Sequence, residues 1–140
     1  MNEYLFSQIA LGQKESFQVL ITADMEDLFR IITGDNNPLH QDDSFAISMG
    51  LFKSHVSFGM LTASFYSTLA GMYLPGKYSL IHSFDKLSFL KPVFIGDLLT
   101  ITGEVIDKVD SLKLISLNVN IKNQNNKIVS KAKMKVLVLK

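Results

Sequence analysis

The chain has 140 residues, of which 47% are hydrophobic and 19% charged; this is the composition of one globular domain (residues 1–140) and not of a disordered chain. Fourteen Lys and Arg against thirteen Asp and Glu leave a net charge of +1, so no charge excess argues for nucleic acid or for a cationic partner. Cysteine is absent, which excludes disulfides, thiolate nucleophiles and cysteine metal sites.

The N-terminal residues lack a basic n-region and a long apolar stretch, and no run approaches 18 apolar residues. The expectation is a cytoplasmic protein with no membrane partner. Ser16–Ile21 reads as a first strand. Thr22 can cap a helix whose first turn carries Asp24, Glu26 and Asp27, charges that suit the positive end of the macrodipole. Met25, Leu28, Phe29 and Ile32 recur at helical spacing and predict one apolar face, with Gly34 as the stop. A polar loop runs from Asp35 to His40, after which Asp42 or Asp43 can cap a short helix over Phe45, Ala46 and Met49.

A longer helix is predicted from about Gly59 to Tyr73. It is apolar on almost every face, which is the signature of a buried helix. Beyond Tyr78 the pattern turns to strands: a long, bent Tyr78–Leu90, then Leu98–Ile106, then strict alternation of Ile115, Leu117, Val119 and Ile121. Asn123–Asn126 reads as a hairpin connection, and Lys131, Lys133 and Lys135 alternate with apolar residues in a last strand. These lysines suit the solvated face of an edge strand, or the phosphates of a carrier. A single antiparallel sheet around the buried helix covers that helix most economically, so the expected class is α+β.

The polar loop holds the side chains best suited to chemistry. Asp35 and His40 lie five residues apart with Pro38 between them, and the proline stiffens the spacing. A carboxylate and an imidazole that converge can bind and polarise a water, and His is the side chain suited to general base work near neutral pH. Spacing alone leaves another reading open, in which Asp35 is a turn former, Asn37-Pro38 a plain turn and His40 a polar residue flanking a helix.

The run Thr33-Gly34-Asp35-Asn36-Asn37-Pro38-Leu39-His40-Gln41-Asp42-Asp43-Ser44-Phe45-Ala46 resembles the signature of the MaoC-like, (R)-specific enoyl-CoA hydratase family. Gly59-Met60-Leu61, Leu74-Pro75-Gly76 and Phe89–Asp97 resemble later blocks of that family in the same order. The resemblance implies a hotdog fold, an antiparallel sheet wrapped around a long central helix. It implies a hydro-lyase that adds water to, or removes it from, C2–C3 of an acyl thioester carried by CoA or by acyl carrier protein, with no cofactor and no metal. It also implies roles: Asp35 and His40 as the catalytic pair on one water, and Gly59 as the backbone N–H that binds the thioester oxygen. Asn37 would support the loop or the water, and Ser67 would lie near the pair. Relatives that pair edge to edge imply a homodimer or a dimer of dimers. The pattern breaks at Phe58, where relatives usually carry His. That break is the feature favouring a non-catalytic acyl-thioester binding protein; a hotdog thioesterase is the other alternative. His55 is no convincing substitute for the missing His, and His82 reads as structural.

Overall fold

A computed structural model describes residues 1–140. Five strands, β1 (Lys14–Leu20), β2 (Ser79–Phe89), β3 (Leu98–Val109), β4 (Leu114–Lys122) and β5 (Ile128–Val138), form one antiparallel sheet in the order β1-β3-β4-β5-β2. The helices are α1 (Ala23–Thr33), α2 (Asp43–Ser48) and α3 (Gly59–Thr68), and α3 runs on into a π-helical turn over Leu69–Tyr73. The alternation seen in the sequence sets the sheet's inner face. Ile101 and Val105 of β3, Leu117 and Ile121 of β4, and Met134 and Val136 of β5 are all buried, and Tyr66, Leu69 and Ala70 pack into the same cluster. The Tyr66 hydroxyl donates to Ser130 Oγ at 3.0 Å and ties α3 to β5. This is the α+β hotdog arrangement.

Local expectations hold at the helix ends. Thr22 Oγ1 accepts the Met25 N–H, Asp42 Oδ1 accepts the Phe45 N–H, and Gly34 closes α1 in the left-handed conformation. β2 is bent, with register shifts at Ile81/Ser83 and Asp85/Ser88.

Three expectations need correction. The lysine-bearing β5 is an interior strand between β4 and β2, not an edge; the edges are β1 and β2. Lys135 is held there by Asp85 at 3.2 Å. The apolar stripe of α1 is split: Met25 and Phe29 are part-buried and Phe29 packs on Phe58, but Leu28 and Ile32 are exposed, Ile32 to 79%, while Glu26 is buried. Nor is α3 enclosed on all sides. Leu61, Thr62, Ala63 and Tyr66 are buried, but Met60, Ser64 and Ser67 form an exposed stripe at helical spacing. One sheet covers one side of a helix, and the opposite side stays open in a single chain.

Candidate active site

The polar loop is built by its own side chains. Asp35 Oδ1 accepts the Asn37 N–H at 3.0 Å, and Asn37 Oδ1 accepts the Leu39 N–H at 3.0 Å. These two Asx turns fold the chain into a single 3-10 turn, Pro38–His40. Gln41 Nε2 donates across the loop to the Asn36 carbonyl at 2.7 Å.

The turn is then fastened to the strand-like segment that leads into α3. The Val56 N–H donates to the Leu39 carbonyl at 3.1 Å, and His40 Nδ1 lies 2.7 Å from the Val56 carbonyl oxygen. A carbonyl can only accept, so Nδ1 carries the proton and Nε2 presents a lone pair. The backbone of Val56 therefore selects the tautomer in which Nε2 is the basic atom. The ring packs tilted against Phe58, with centroids 4.2 Å apart and 32° between planes, and Phe58 packs in turn on Phe29 at 5.2 Å.

Asp35, His40 and Gly59 line one cavity of about 190 Å³ together with Phe29, Phe58 and Met60. His40 and Gly59 also line a second cavity of about 380 Å³, which runs along Val56, Ser57 and Thr62 towards Phe89 and Val129. The residues from the loop and the helix start thus meet at one point, with a larger chamber opening from it. Gly59 is the first residue of α3, where the backbone N–H has no carbonyl four residues back to bond. That N–H carries the partial positive charge of the helix start. A Cβ at this position would lie 3.2–3.4 Å from the Phe89 ring, so glycine keeps the approach to the N–H open.

Not every candidate joins this cluster. Asn37 is exposed and its side chain is spent on the turn, so its place is in the loop and not in the cavity. Ser67 lies two turns along α3 on the exposed stripe and lines neither chamber. His82 is exposed on β2 beside Ser83. His55 binds Asp43 at 2.5 Å, and the two hydrogen bonds from His55 hold the Asp43 carboxyl below its ordinary range.

The sequence also concealed participants. Val56 acts through its carbonyl, which no side-chain pattern announces. Glu26 is only 6% exposed, with one carboxylate oxygen 3.5 Å from the Phe58 N–H and the other without a partner. Its position three residues before Phe29 put it on the face that meets Phe58, but a first-turn acid reads more simply as a dipole partner.

The family descriptor MaoC like domain matches residues 7–127. The chain belongs to the MaoC-like domain family. This MaoC-like domain is 40% identical over 97 residues to an (R)-specific enoyl-CoA hydratase of Aeromonas caviae, covering 69% of this chain and 71% of that one. It is 34% identical over 113 residues to a second (R)-specific enoyl-CoA hydratase, from Rhodospirillum rubrum, covering 81% and 77% of the two chains. The solved (R)-hydratase of Aeromonas caviae superposes with a TM-score of 0.86 at 32% identity over 93% of this chain and 97% of that one. An unliganded (R)-hydratase of Pseudomonas aeruginosa gives 0.87 at 27% identity over 96% and 84%.

Proposed function

We propose that this MaoC-like domain is a hydro-lyase that interconverts trans-2-enoyl and (R)-3-hydroxyacyl thioesters. The observation that carries the reading is the His40–Val56 hydrogen bond. It leaves a basic Nε2 on a ring that shares a cavity with the Asp35 carboxylate and the Gly59 N–H.

In the hydration direction a water sits between His40 and Asp35. His40 Nε2 takes a proton from it while the oxygen bonds to C3. The electron pair of the double bond moves towards the thioester oxygen, where the Gly59 N–H and the start of α3 stabilise the developing charge. Asp35 has one oxygen engaged by Asn37 and the other without a protein partner. That second oxygen orients the water, accepts the proton that His40 has taken and passes it to C2 on the same face. The pair therefore ends as it began, and the reverse sequence is dehydration.

Phe58 fits an enzyme. It is buried and supplies an aromatic wall against which His40 packs, so its presence does not by itself empty the site of function. The exposed stripe Met60–Ser64–Ser67 on α3 and the exposed Leu28, Ile31 and Ile32 on α1 suit a second copy of the chain, which would bring Ser67 under cover. The carrier is CoA in this reading, the acyl-carrier-protein thioester being the other form of the same substrate.

The test is ultraviolet absorbance of crotonyl-CoA. Loss of the conjugated enoyl band with the thioester intact is the expected result, and chiral chromatography should give the (R)-3-hydroxy product. Release of free thiol would identify a thioesterase, and an unchanged spectrum with tight binding would identify a binding protein.

A further inference from the structure

The segment that leads into α3 is held one amide at a time. The His55 N–H donates to Asp43 Oδ1 of α2 at 2.9 Å, the Val56 N–H to the Leu39 carbonyl of the polar loop at 3.1 Å, and the Ser57 N–H to the Val93 carbonyl at 2.8 Å. The next amide, that of Phe58, donates to Glu26 Oε2 of α1 at 3.5 Å, the longest of the four. The Gly59 N–H follows, and at the first position of α3 it has no carbonyl to bond. Donors in succession are thus spent on separate parts of the chain, and the one after them is left for substrate.

Glu26 is the odd member of this set. It is only 6% exposed, yet it has no ion-pair partner: Arg30, one turn further along α1, is taken by Asp27 at 2.8 Å. Its other oxygen, Oε1, has no partner in the protein. A buried acid so poorly paired costs the fold stability. An apolar side chain would pack α1 against the same segment without that cost, as Phe29 already does against the Phe58 ring. What the acid does and a leucine cannot is accept the Phe58 N–H.

We propose that Glu26 is a positioning residue for the hydration reaction: by holding the Phe58 N–H it sets the segment that presents the Val56 carbonyl and the Phe58 ring to His40 and the Gly59 N–H to substrate. The proposal rests on the hydro-lyase reading above and adds to it a residue that touches neither the water nor the thioester. The Val56 carbonyl selects the His40 tautomer and the Phe58 ring packs against the imidazole. A displaced Phe58 therefore disturbs both supports and turns the peptide that carries the Gly59 N–H. Misplacement of about 1 Å is enough to cost roughly 10²-fold in rate.

Two substitutions in the full chain test this. Glu26→Leu keeps apolar volume and removes the acceptor, whereas Glu26→Gln keeps an acceptor oxygen. Glu26→Leu should melt at or above the temperature of the parent chain, because a poorly paired buried acid is gone. Its kcat on crotonyl-CoA should nonetheless fall by roughly ten- to a hundredfold, with KM little changed. Glu26→Gln should stay within about fivefold of the parent, since a neutral acceptor makes the weaker bond. A second readout needs no turnover. The nitrogen-15 shifts of the His40 ring report its tautomer. In Glu26→Leu they should move from the Nδ1–H pattern towards the average of the two tautomers, and in Glu26→Gln they should return. An unchanged kcat in Glu26→Leu overturns the proposal and leaves the hydro-lyase reading standing, as does an equal loss in both variants. A fall in kcat that follows a lowered melting temperature, with the His40 shifts unmoved, also overturns it and makes Glu26 a part of the fold alone. If the parent chain hydrates no enoyl thioester, the hydro-lyase reading falls, and the His40 shifts alone decide whether Glu26 sets the ring.

Discussion

The imidazole of His40 lies against the ring of Phe58, 4.2 Å between centroids, while its Nδ1–H is held by the Val56 carbonyl at 2.7 Å. Residues from one short segment thus hold both the ring and the tautomer of the side chain proposed to take the proton. The loop supplies the other half of the pair, since Asp35 is oriented by the Asn37 N–H.

If Asp35 and His40 act on one water, Asp35→Asn and His40→Ala should each lower kcat/KM by roughly 10²–10⁴-fold. The double substitution should be little worse than the poorer single one, because groups that share a task are not additive. Clean multiplication of the two losses would contradict the shared water. Asp35 is exposed and His40 partly so, and the cooperative unfolding of both variants should stay close to that of the parent chain.

Replacing Phe58 separates support from chemistry. Phe58→Leu keeps apolar volume next to Phe29 but removes the ring against which His40 packs. The lost aromatic pairing costs about 0.5–1.5 kcal/mol, small enough for the domain to remain folded. We expect kcat to fall more than KM changes, because Phe58 lines the small cavity around Asp35, His40 and Gly59 but not the larger chamber along Ser57 and Thr62. A rise in KM with kcat preserved would show that Phe58 touches substrate instead. Phe58→Ala should lose about 3–5 kcal/mol of stability, in the range for an aromatic taken out of a core.

The loop was legible in the sequence because its chemistry is local. Pro38, the two Asx turns and the Asp35–His40 spacing are all set within eight residues, and the helix caps at Thr22 and Asp42 are equally local. What failed depended on pairing. The lysine alternation of β5 shows which side chains share a face, but strand order decides whether that strand is an edge, and β2 returns to cover it. The stripe Leu28–Ile32 shows that one face of α1 is apolar; it does not show what lies opposite, which is Phe58 for Phe29 and solvent for Leu28 and Ile32. Glu26 and the Val56 carbonyl escaped for a related reason, since both act through contacts with the segment before α3, distant in sequence from α1 and from the loop.

Tyr66 gives the fold an alkaline limit. Burial pushes its hydroxyl up to about 12, while the bond to Ser130 pulls slightly the other way. A phenol whose folded pKa is raised contributes stability that is complete below its unfolded value of about 10 and is lost as pH climbs from there towards 12. The loss amounts to roughly 2–3 kcal/mol. Tyr66→Phe should remove this component of the fall between pH 10 and 12. At pH 7 it should cost about 1–3 kcal/mol, because Ser130 Oγ is left buried without its donor. Urea unfolding at pH 7 and pH 11 on both proteins measures the two effects, and an equally steep alkaline loss in Tyr66→Phe would remove Tyr66 as the cause.

Gly59 allows the N–H and the open approach to be tested apart. Gly59→Ala adds a Cβ that meets Phe89 at 3.2–3.4 Å. Phe89 is half exposed at the end of β2, so its ring can give way by a few tenths of an ångström, and alanine is the better helix residue. The melting temperature should therefore move little, while the methyl group narrows the cavity shared with His40 and lowers kcat/KM. Gly59→Pro adds the same Cβ and also deletes the N–H. Proline is tolerated at the first helical position, and Phe58, at φ −60° and ψ 125°, already has the extended geometry that a following proline requires. Proline should thus fold where alanine folds and differ from it chiefly by the missing donor. Loss of one such donor is worth roughly 10²–10³-fold in kcat. We expect Gly59→Pro to fall below Gly59→Ala by about that factor on crotonyl-CoA, with both proteins melting cooperatively. Equal activities would mean that the thioester oxygen is held by some other group, and the start of α3 would then serve the fold alone.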